Sequence, residues 1–431
     1  MIKKLLYYTY SILSNFITIL VIIITIGAVV IANNFFEINT TLKKNVYEKY
    51  PNLISQYRKN LFKEKSLIEN LNNDYNAKFL PETQFTNLDL IRKKIIFNEV
   101  FRKRHDNNQL TQTFYIDEFK DEIILVDYLG GIYSFNKSLI ENKEKKIIRP
   151  KNIKSNLLVN KVLDIKVYKE NLYVSFINQK NDCQNLNVSI ANLENDTLEF
   201  DNFFSSDECG SKIQGGRMFN YKYKGENGLL FSTSNQHQDD TDSEFKLPQE
   251  DSSIFGKILF INFESAKYKI FSKGHRNIQG LFVKDELILS TEHGPKGGDE
   301  INKILFGKNY GWPIASYGKK YFSNNFYKHN HYSLGFKEPI YSYVPSIGIS
   351  EIIEIPAEFY KNFENNYLVS SLNGKHLHRI KFDQNFDKVI FDEKIFIGSR
   401  IRDLKYDHTS NSILLALENN GEMGILKALK D

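Results

Sequence analysis

Short apolar runs, each closed by a turn, recur along the chain after residue 112. Their shared phrase is an acidic or Asn-containing turn, then three to five apolar residues, then small polar residues. The phrase occurs at residues 121–135, 170–178, 226–235, 284–294, 364–380 and 411–427. Such runs predict β-strands, and their return roughly every 50 residues is typical of four-stranded propeller blades. The pattern therefore predicts an all-β fold, a six-bladed β-propeller over residues 112–431.

The apolar pattern of residues 11–32, SILSNFITILVIIITIGAVVIA, is of a different kind. The run is uncharged and long enough to cross a bilayer as a helix. Lys3 and Lys4 precede it, so the N-terminus is expected in the cytoplasm and the rest of the chain outside. Val30-Ile31-Ala32 also fits the cleavage site of a signal peptide, which stays open as the alternative. In both cases the body is exported to the periplasm or the extracellular face.

Between the membrane anchor (residues 1–39) and the propeller, residues 40–111 carry mixed three- and four-residue apolar spacing, which predicts a mainly helical stalk. Residues 40–105 hold 14 Lys/Arg against 7 Asp/Glu. This basic surface could lie against anionic lipid, or it could be an ordinary solvated helix face.

The composition narrows the class of protein. The chain has 431 residues, with 33 Phe and 25 Tyr but one Trp, a balance that favours strands. The net charge is only +5 and there is no dense basic tract, which argues against a nucleic-acid partner. Cys183 and Cys209 are too few for a four-cysteine zinc site. In an exported protein they are expected to form a disulfide, the alternative being two buried thiols.

Common catalytic motifs are absent from the sequence: it has no phosphate-binding loop, no dinucleotide-binding glycine motif and no Gly-x-Ser-x-Gly turn. His376 and His378 would share one face of a strand, as would His329 and His331 if extended. Two histidines without a third ligand make a poor zinc site.

The densest polar stretch is 274–318, with GHRNIQGL followed by STEHGPKGGDEINKILFGKNYGWPIASYG from residue 290. Its glycines and Pro295 turn backbone carbonyls and amides toward a ligand. Asp299, Glu300 and Tyr310 offer the hard oxygen donors that calcium selects. The alternative is a set of turns that only connect strands.

GHRNIQGL, EHGPKGGDEIN and NYGWP, in this order, resemble the motifs of the pyrroloquinoline quinone (PQQ)-dependent glucose/sorbosone dehydrogenase family, which includes soluble aldose dehydrogenases. Weaker similarities follow at residues 344–350, 371–377 and 399–404. The resemblance covers residues 112–430. It implies a six-bladed propeller that binds PQQ beside calcium and oxidises a sugar hydroxyl, an oxidoreductase activity.

The resemblance also implies site residues. Those expected to contact the quinone are Arg276, Asn277, Arg400 and Arg402. The Gly294 and Pro295 carbonyls match calcium ligands beside the quinone, and Glu300 and Tyr310 match a second, structural calcium site. Guanidinium groups suit a tricarboxylate because they pair with carboxylates in a bidentate fork.

Three departures from the family pattern concern the chemistry. The family's catalytic histidine position, two residues before Gly215-Gly216-Arg217, holds Ile213, which cannot accept a proton. His293 and His275 are the candidates for an alternative base. The family's quinone-contacting lysine position is Asn373, with Lys375 two residues away as the replacement. Ile278 stands where the family has proline.

Three hypotheses follow. The first is a membrane-anchored, outward-facing PQQ-dependent sugar or aldose dehydrogenase whose catalytic base is degenerate. The second is a non-catalytic propeller that binds a saccharide, a quinone-like ligand or a partner protein. The third is an envelope-assembly scaffold that uses the stalk. The sequence does not identify the sugar or the electron acceptor.

Overall fold

The computed structural model describes residues 88–97, 102–103, 110–142, 144–180, 183–210, 213–235, 247–321, 325–328, 330–419 and 421–429. The predicted span 11–32 and most of the predicted stalk lie outside these residues. Within them, no helix is long and apolar enough to cross a membrane.

The regular secondary structure of the described residues is almost entirely β-strand. Three strands come first: β1 (Leu88–Ile95), β2 (Arg102–Lys103) and β3 (Leu110–Thr111). Next are β4 (Phe114–Phe119), β5 (Glu122–Asp127), β6 (Ile132–Asn136), the short helix α1 (Ser138–Glu141), β7 (Ile147–Ile148) and β8 (Lys151–Ser155). They are followed by β9 (Lys161–Tyr168), β10 (Asn171–Lys180), β11 (Cys183–Asn192), β12 (Thr197–Leu198) and β13 (Asp201–Gly210). Residues 215–273 hold β14 (Gly215–Tyr223), β15 (Glu226–Thr233), a 3₁₀ turn (Leu247–Gln249), β16 (Lys257–Asn262) and β17 (Tyr268–Lys273).

The second half of the propeller continues the pattern. It contains β18 (Ile278–Lys284), β19 (Leu287–Glu292), β20 (Asp299–Lys303), a 3₁₀ turn (Tyr332–Leu334) and β21 (Tyr341–Tyr343). Next come β22 (Ile349–Glu354), a 3₁₀ turn (Lys361–Phe363), β23 (Tyr367–Ser371), β24 (His376–Phe382) and β25 (Val389–Phe396). The last strands are β26 (Ile401–Asp407), β27 (Ser412–Leu417) and β28 (Glu422–Ala428).

These strands form six blades, which confirms the predicted fold. From the channel outward the sheets are β4-β5-β6-β8-β12, β9-β10-β11-β13, β14-β15-β16-β17, β18-β19-β20-β21, β22-β23-β24-β25 and β26-β27-β28-β1-β7, numbered here blades one to six. A separate two-stranded ribbon pairs β2 with β3.

Blade six is closed by the strand furthest from it in sequence. β1 pairs antiparallel with β28, with Leu88 opposite Ala428 and Lys94 opposite Glu422. This pairing joins the two ends of the propeller and removes an exposed sheet edge. The predicted boundary at residue 112 is therefore wrong for this strand, because residues 88–95 form part of blade six and not of a helical stalk.

The apolar core is divided among the blade interfaces. Six clusters of buried side chains each join two neighbouring blades, and together they complete the ring. Leu163 of blade two and Phe231 of blade three, for example, belong to one cluster. Burial of apolar area between blades is what holds the six sheets around one axis.

The first strand of each blade lines a central channel, and each contacts the first strands of the neighbouring blades. Because all six begin at the same end, the residues just before them lie together at one opening, called here the mouth. A cavity of about 570 Å³ opens at the other end, among residues such as Lys166, Phe219 and Lys284. None of the predicted site residues lines that cavity.

Candidate active site at the mouth of the channel

The Gly-Gly-Arg turn places an arginine on the channel axis. Gly216 adopts a φ of +86°, and a Cβ there would overlap the Leu163 side chain. The glycine therefore lets the backbone approach blade two closely, and its carbonyl accepts a hydrogen bond from Ser175 Oγ at 2.6 Å. Arg217 then follows with 3% of its surface exposed.

Arg217 connects four blades. Its Nη1 atom lies 2.9 Å from Asp164, 3.0 Å from Glu351 and 3.1 Å from Asp403, one carboxylate from each of three other blades. Its Nε donates to Gln279 O at 2.6 Å and its Nη2 to Arg402 O at 2.9 Å. The guanidinium therefore holds the backbone carbonyls of Gln279 and Arg402 in place.

All three carboxylates contact the Arg217 guanidinium. Burial raises the pKa of Asp164 to about 7 and that of Glu351 to about 8, although Arg217 opposes both shifts. The nearby Asp403 adds to the rise of both pKa values. The two carboxyl groups therefore hold protons near neutral pH, which reduces the charge buried in the channel.

Gln279, which lies within GHRNIQGL, joins two predicted cofactor contacts. Its Nε2 donates to Asn277 Oδ1 at 2.9 Å, and its Oε1 accepts from Arg402 Nη1 at 3.1 Å. Asn277 in turn donates from Nδ2 to Gln214 Oε1 at 2.8 Å. The structure thus brings Asn277 and Arg402, which are 125 positions apart in the sequence, into one hydrogen-bonded group.

Arg400 and Arg402 share one carboxylate that sequence reasoning missed. The Nε atoms of Arg400 and Arg402 lie 2.7 and 2.8 Å from the two oxygens of Glu418. Although burial opposes it, the two arginines hold the pKa of Glu418 well below its usual range. Glu418 therefore neutralises one of the two positive charges available to an anionic ligand.

Arg276 lies against an aromatic wall. Its Nη1 donates to His293 O at 3.0 Å, and its guanidinium lies 5.3 Å from the Trp312 ring centre and 6.0 Å from that of Tyr321. The segment between β20 and β21 supplies both rings. Cation–π attraction and burial together hold the Arg276 side chain at the mouth.

The two candidate histidines differ in what surrounds their rings. His275 is fully buried, with Nδ1 3.0 Å from Glu292 Oε2 and Nε2 2.9 Å from Ser272 Oγ, and its ring stacks on Tyr310. Both ring nitrogens already have hydrogen-bond partners, so neither is available to take a proton from a substrate, and the role of His275 is structural. His293 has Nδ1 3.5 Å from Asn277 Nδ2, while its buried Nε2 has no hydrogen-bond partner among the described residues.

The environment keeps His293 neutral. Burial lowers the pKa of His293, and Arg276 and Arg402 lower it further, against the opposing effect of Asp299. A neutral imidazole with a free lone pair can accept a proton. Of the two histidines, only His293 combines this property with a place at the mouth.

Ile213 lies in the apolar cluster between blades two and three and is 2% exposed. Its backbone N–H donates to Gln184 Oε1 at 3.1 Å. Gln184 neighbours Cys183, which is disulfide-bonded to Cys209 with a Cα–Cα distance of 5.6 Å. The predicted disulfide is confirmed, and it ties the mouth ends of β11 and β13 close to Ile213.

Lys375 lies on the mouth-side hairpin between β23 and β24, in a left-handed conformation with φ of +57°. Its carbonyl accepts hydrogen bonds from Ile397 N and Gly398 N. The described residues show no hydrogen bond or ion pair from its ammonium. The structure therefore places Lys375 at the rim without joining it to the arginine group.

The predicted calcium ligands are only partly grouped. Tyr310 Oη donates to Lys303 O at 2.6 Å and accepts from Leu305 N at 3.0 Å, so backbone groups already occupy it. Burial, and then Glu292, raise the pKa of Glu300 well above its usual range. In the part of the chain that the structure describes, no three His, Cys, Asp or Glu side chains could together hold a metal ion.

The other two predicted calcium ligands belong to a turn organised by Asp299. Gly294 N donates to Asp299 Oδ1 at 3.1 Å, and Ile347 N and Ile349 N donate to its Oδ2. The Pro295 carbonyl accepts from Ser346 Oγ at 3.5 Å. Calcium at either place stays a prediction.

Together, the six blades and the mouth define a propeller whose channel opens beside arginine, amide and imidazole groups. The glucose/sorbosone dehydrogenase family model matches residues 162–427, and the chain belongs to that family.

Individual relatives match shorter segments. The aldose sugar dehydrogenase YliI of Escherichia coli is 31% identical over 169 residues, 38% of this chain and 45% of that protein. Quinoprotein glucose dehydrogenase B of Acinetobacter calcoaceticus is 40% identical over 78 residues, 15% of this chain and 16% of that one. The matches thus span less than half the length of these curated relatives. The PQQ-bound aldose sugar dehydrogenase of Streptomyces coelicolor has the same fold, with a TM-score of 0.53, 17% identity and coverage of 79% of this chain and 99% of that structure.

Proposed function

We propose that the protein is an outward-facing, membrane-anchored sugar or aldose dehydrogenase that uses PQQ, with His293 as the base in place of the histidine lost at Ile213. The single observation that carries the proposal is the buried, unpartnered Nε2 of His293 at the mouth, among described residues that include Arg276 and Asn277.

The residues at the mouth fit a planar acidic cofactor. Arg276, Arg402 and Asn277 offer guanidinium and amide donors to carboxylates and carbonyls. Trp312 and Tyr321 offer ring faces on the side of Arg276. PQQ, when bound, would accept the hydride that leaves the sugar carbon.

Side chains at the mouth would take the proton of the sugar hydroxyl and orient the ring that accepts it. The His293 imidazole is neutral because its pKa is lowered, so in the tautomer with hydrogen on Nδ1 its Nε2 can take the proton of the sugar hydroxyl. Asn277 is held through Gln279 to Arg402, and its Nδ2 lies 3.5 Å from His293 Nδ1. A hydrogen bond donated by this amide would put the ring hydrogen on Nε2, so base action at Nε2 requires that this contact is not a hydrogen bond. Protonated His293 would carry the same positive charge as Arg276 and Arg402, and this repulsion favours release of the proton.

The experiment is a PQQ titration of the purified full-length protein, followed by an aldose panel assayed with an artificial electron acceptor. We expect binding and slow turnover, removed by His293→Gln and unaffected by the control His408→Gln on the exposed surface. Ile213→His should raise turnover, by up to about 10²–10⁴ where it restores a positioned base. Turnover that persists in His293→Gln would contradict the role of His293.

The second candidate function is a non-catalytic, ligand-binding propeller. It is favoured by the burial of Ile213 in an apolar cluster and by the pairing of both Arg400 and Arg402 with Glu418, which neutralises one of their two positive charges. It predicts PQQ or saccharide binding with no turnover in the unmodified protein. If PQQ does not bind at all, the dehydrogenase proposal is wrong.

The location of the protein is part of the proposal. Residues 11–32 would anchor the chain, with the propeller in the periplasm or at the extracellular face. The Cys183–Cys209 disulfide supports an oxidising compartment. Protease added to spheroplasts should digest the propeller, and a fully protected propeller would contradict the orientation.

A further inference from the structure

Blade five holds two histidine rings, those of His376 and His378, whose Nε2 atoms face each other. His376 and His378 alternate on β24, so their side chains share one face of the sheet. Their Nε2 atoms are 2.7 Å apart and their ring centres 4.6 Å apart. Neither residue belongs to the hydrogen-bonded group around Arg402 and Asn277.

The other nitrogen of each ring is fixed by an acceptor. His378 Nδ1 lies 2.6 Å from Asp392 Oδ1, and His376 Nδ1 lies 2.5 Å from the Gly374 carbonyl oxygen. A carbonyl can only accept, and an ionised carboxylate can only accept, so both Nδ1 atoms carry hydrogen. In neutral rings both Nε2 atoms then present lone pairs, and two lone pairs 2.7 Å apart repel each other.

A cation between the two nitrogens removes this repulsion. An imidazole that donates from one nitrogen to a carboxylate or a backbone carbonyl is the usual arrangement around protein-bound metals, because it fixes the ring and raises its basicity. Metal–nitrogen bonds of roughly 2.0–2.1 Å would separate the two Nε2 atoms by about 2.9 Å at a right angle and about 3.3 Å at a tetrahedral angle. From the observed 2.7 Å, the rings need to move apart by roughly 0.2–0.6 Å.

We propose that His376 and His378 form a two-histidine site for a late first-row divalent cation such as Zn²⁺, Ni²⁺ or Cu²⁺, with Asp392 as the group that orients His378. Imidazole nitrogen is a ligand these ions prefer. Water would fill the remaining coordination positions, since no third His, Cys, Asp or Glu among the described residues joins the pair.

The sheet makes the site rigid enough to bind. His378 is 1% exposed, while Asp392 on the neighbouring β25 keeps 20% of its side chain accessible. His376 is anchored additionally through its backbone N–H, which donates to Ser371 Oγ at 3.1 Å. The more accessible His376 offers the ion a path of entry, and the buried His378 keeps the second nitrogen in place.

The test uses the full-length protein, purified without a polyhistidine tag and freed of metal by dialysis. Zn²⁺ alone is titrated against a chromophoric chelator, and Cu²⁺ alone is followed by electron paramagnetic resonance for nitrogen coupling. The variants are His376→Gln, which leaves the His378–Asp392 contact intact, and Asp392→Asn. His408→Gln, an exposed histidine on another blade, is the matched control.

We expect one equivalent of Zn²⁺ to bind, with affinity reduced at least 10-fold in His376→Gln and about 10- to 100-fold in Asp392→Asn. The control should bind as the unmodified protein does, and Cu²⁺ should show two coupled nitrogens that become one in His376→Gln. Equal binding by His376→Gln overturns the proposal. So does an absence of Zn²⁺ binding in the folded protein, which would mean that a proton alone bridges the two rings.

Discussion

Replacing Arg217 with Met removes the guanidinium that contacts three buried carboxylates in the channel. Asp164, Glu351 and Asp403 would each lose a partner at 2.9–3.1 Å, and the carbonyls of Gln279 and Arg402 would each lose a donor. Methionine fills part of the volume but cannot donate. The substitution therefore leaves uncompensated polar groups in the interior and does not empty the site.

Removing one partner of a buried ion pair typically costs about 3–5 kcal/mol. For a propeller of roughly 320 residues, an unfolding entropy of about 2.1 cal/mol/K per residue gives about 0.7 kcal/mol per degree. We therefore expect Arg217→Met to lower Tm by about 4–8 °C. Lys120→Met removes an exposed pair with Glu194 and should cost about 1 kcal/mol or less.

The pH dependence distinguishes an electrostatic cost from a packing cost. The pKa values of Asp164 and Glu351 are raised to about 7 and about 8, above those of the unfolded chain. Their contribution to stability is therefore complete below the unfolded pKa and is lost as the pH rises through 7 and 8. Without Arg217 the cost of ionising them grows, so the loss in Tm should be larger at pH 8 than at pH 5.5.

The assay is differential scanning calorimetry of the unmodified protein, Arg217→Met and Lys120→Met at both pH values. A Tm loss of equal size at pH 5.5 and pH 8 would refute the electrostatic reasoning. A loss no larger than that of Lys120→Met would refute the role of Arg217 as the connection between blades.

Three further predictions concern other parts of the propeller. Replacing Cys183 and Cys209 with Ser reopens a 26-residue span and should lower the free energy of unfolding by about 3.5 kcal/mol, measurable by denaturant titration; an unchanged value would contradict it. Calcium should raise Tm, and Glu300→Gln should abolish that rise. If calcium does not change the Tm of the unmodified protein, the prediction of a calcium site is wrong. Arg402→Ala should weaken PQQ binding by about 1.5–3 kcal/mol in a fluorescence titration, and unchanged affinity would place the cofactor elsewhere.

The blade count could be predicted because propeller blades are local. Each repeat closes its own sheet through short antiparallel hairpins, so its apolar phrase is visible within some 40–50 residues of sequence. The strand β1 could not be found in this way. Its partner β28 lies at the other end of the chain, and the basic pattern around Arg92 carries no periodicity that distinguishes an outer strand from a helix.

The candidate site divides along the same line. The motif GHRNIQGL locates Arg276, Asn277 and Gln279 together because they are adjacent in sequence. The contact of Arg402 with Glu418 and that of Arg217 with the Gln279 carbonyl cannot be predicted from the motif, because each joins residues on different strands or blades. The choice between His275 and His293 likewise rests on which ring nitrogens are already bonded, and only packing decides that.

The sequence by itself determined the features that depend on residues close together along the chain. These are the strand periodicity, the glycine turns, the number of blades and the residues that belong to each motif. The tertiary structure alone decided which charges meet. Closing six blades around one axis brings Arg217 to carboxylates from three other blades and buries them together, so their protonation is set by a dielectric environment that no local pattern encodes. It also decided the register of β24 and β25, which turns two alternate histidines and one aspartate into a single chemical group.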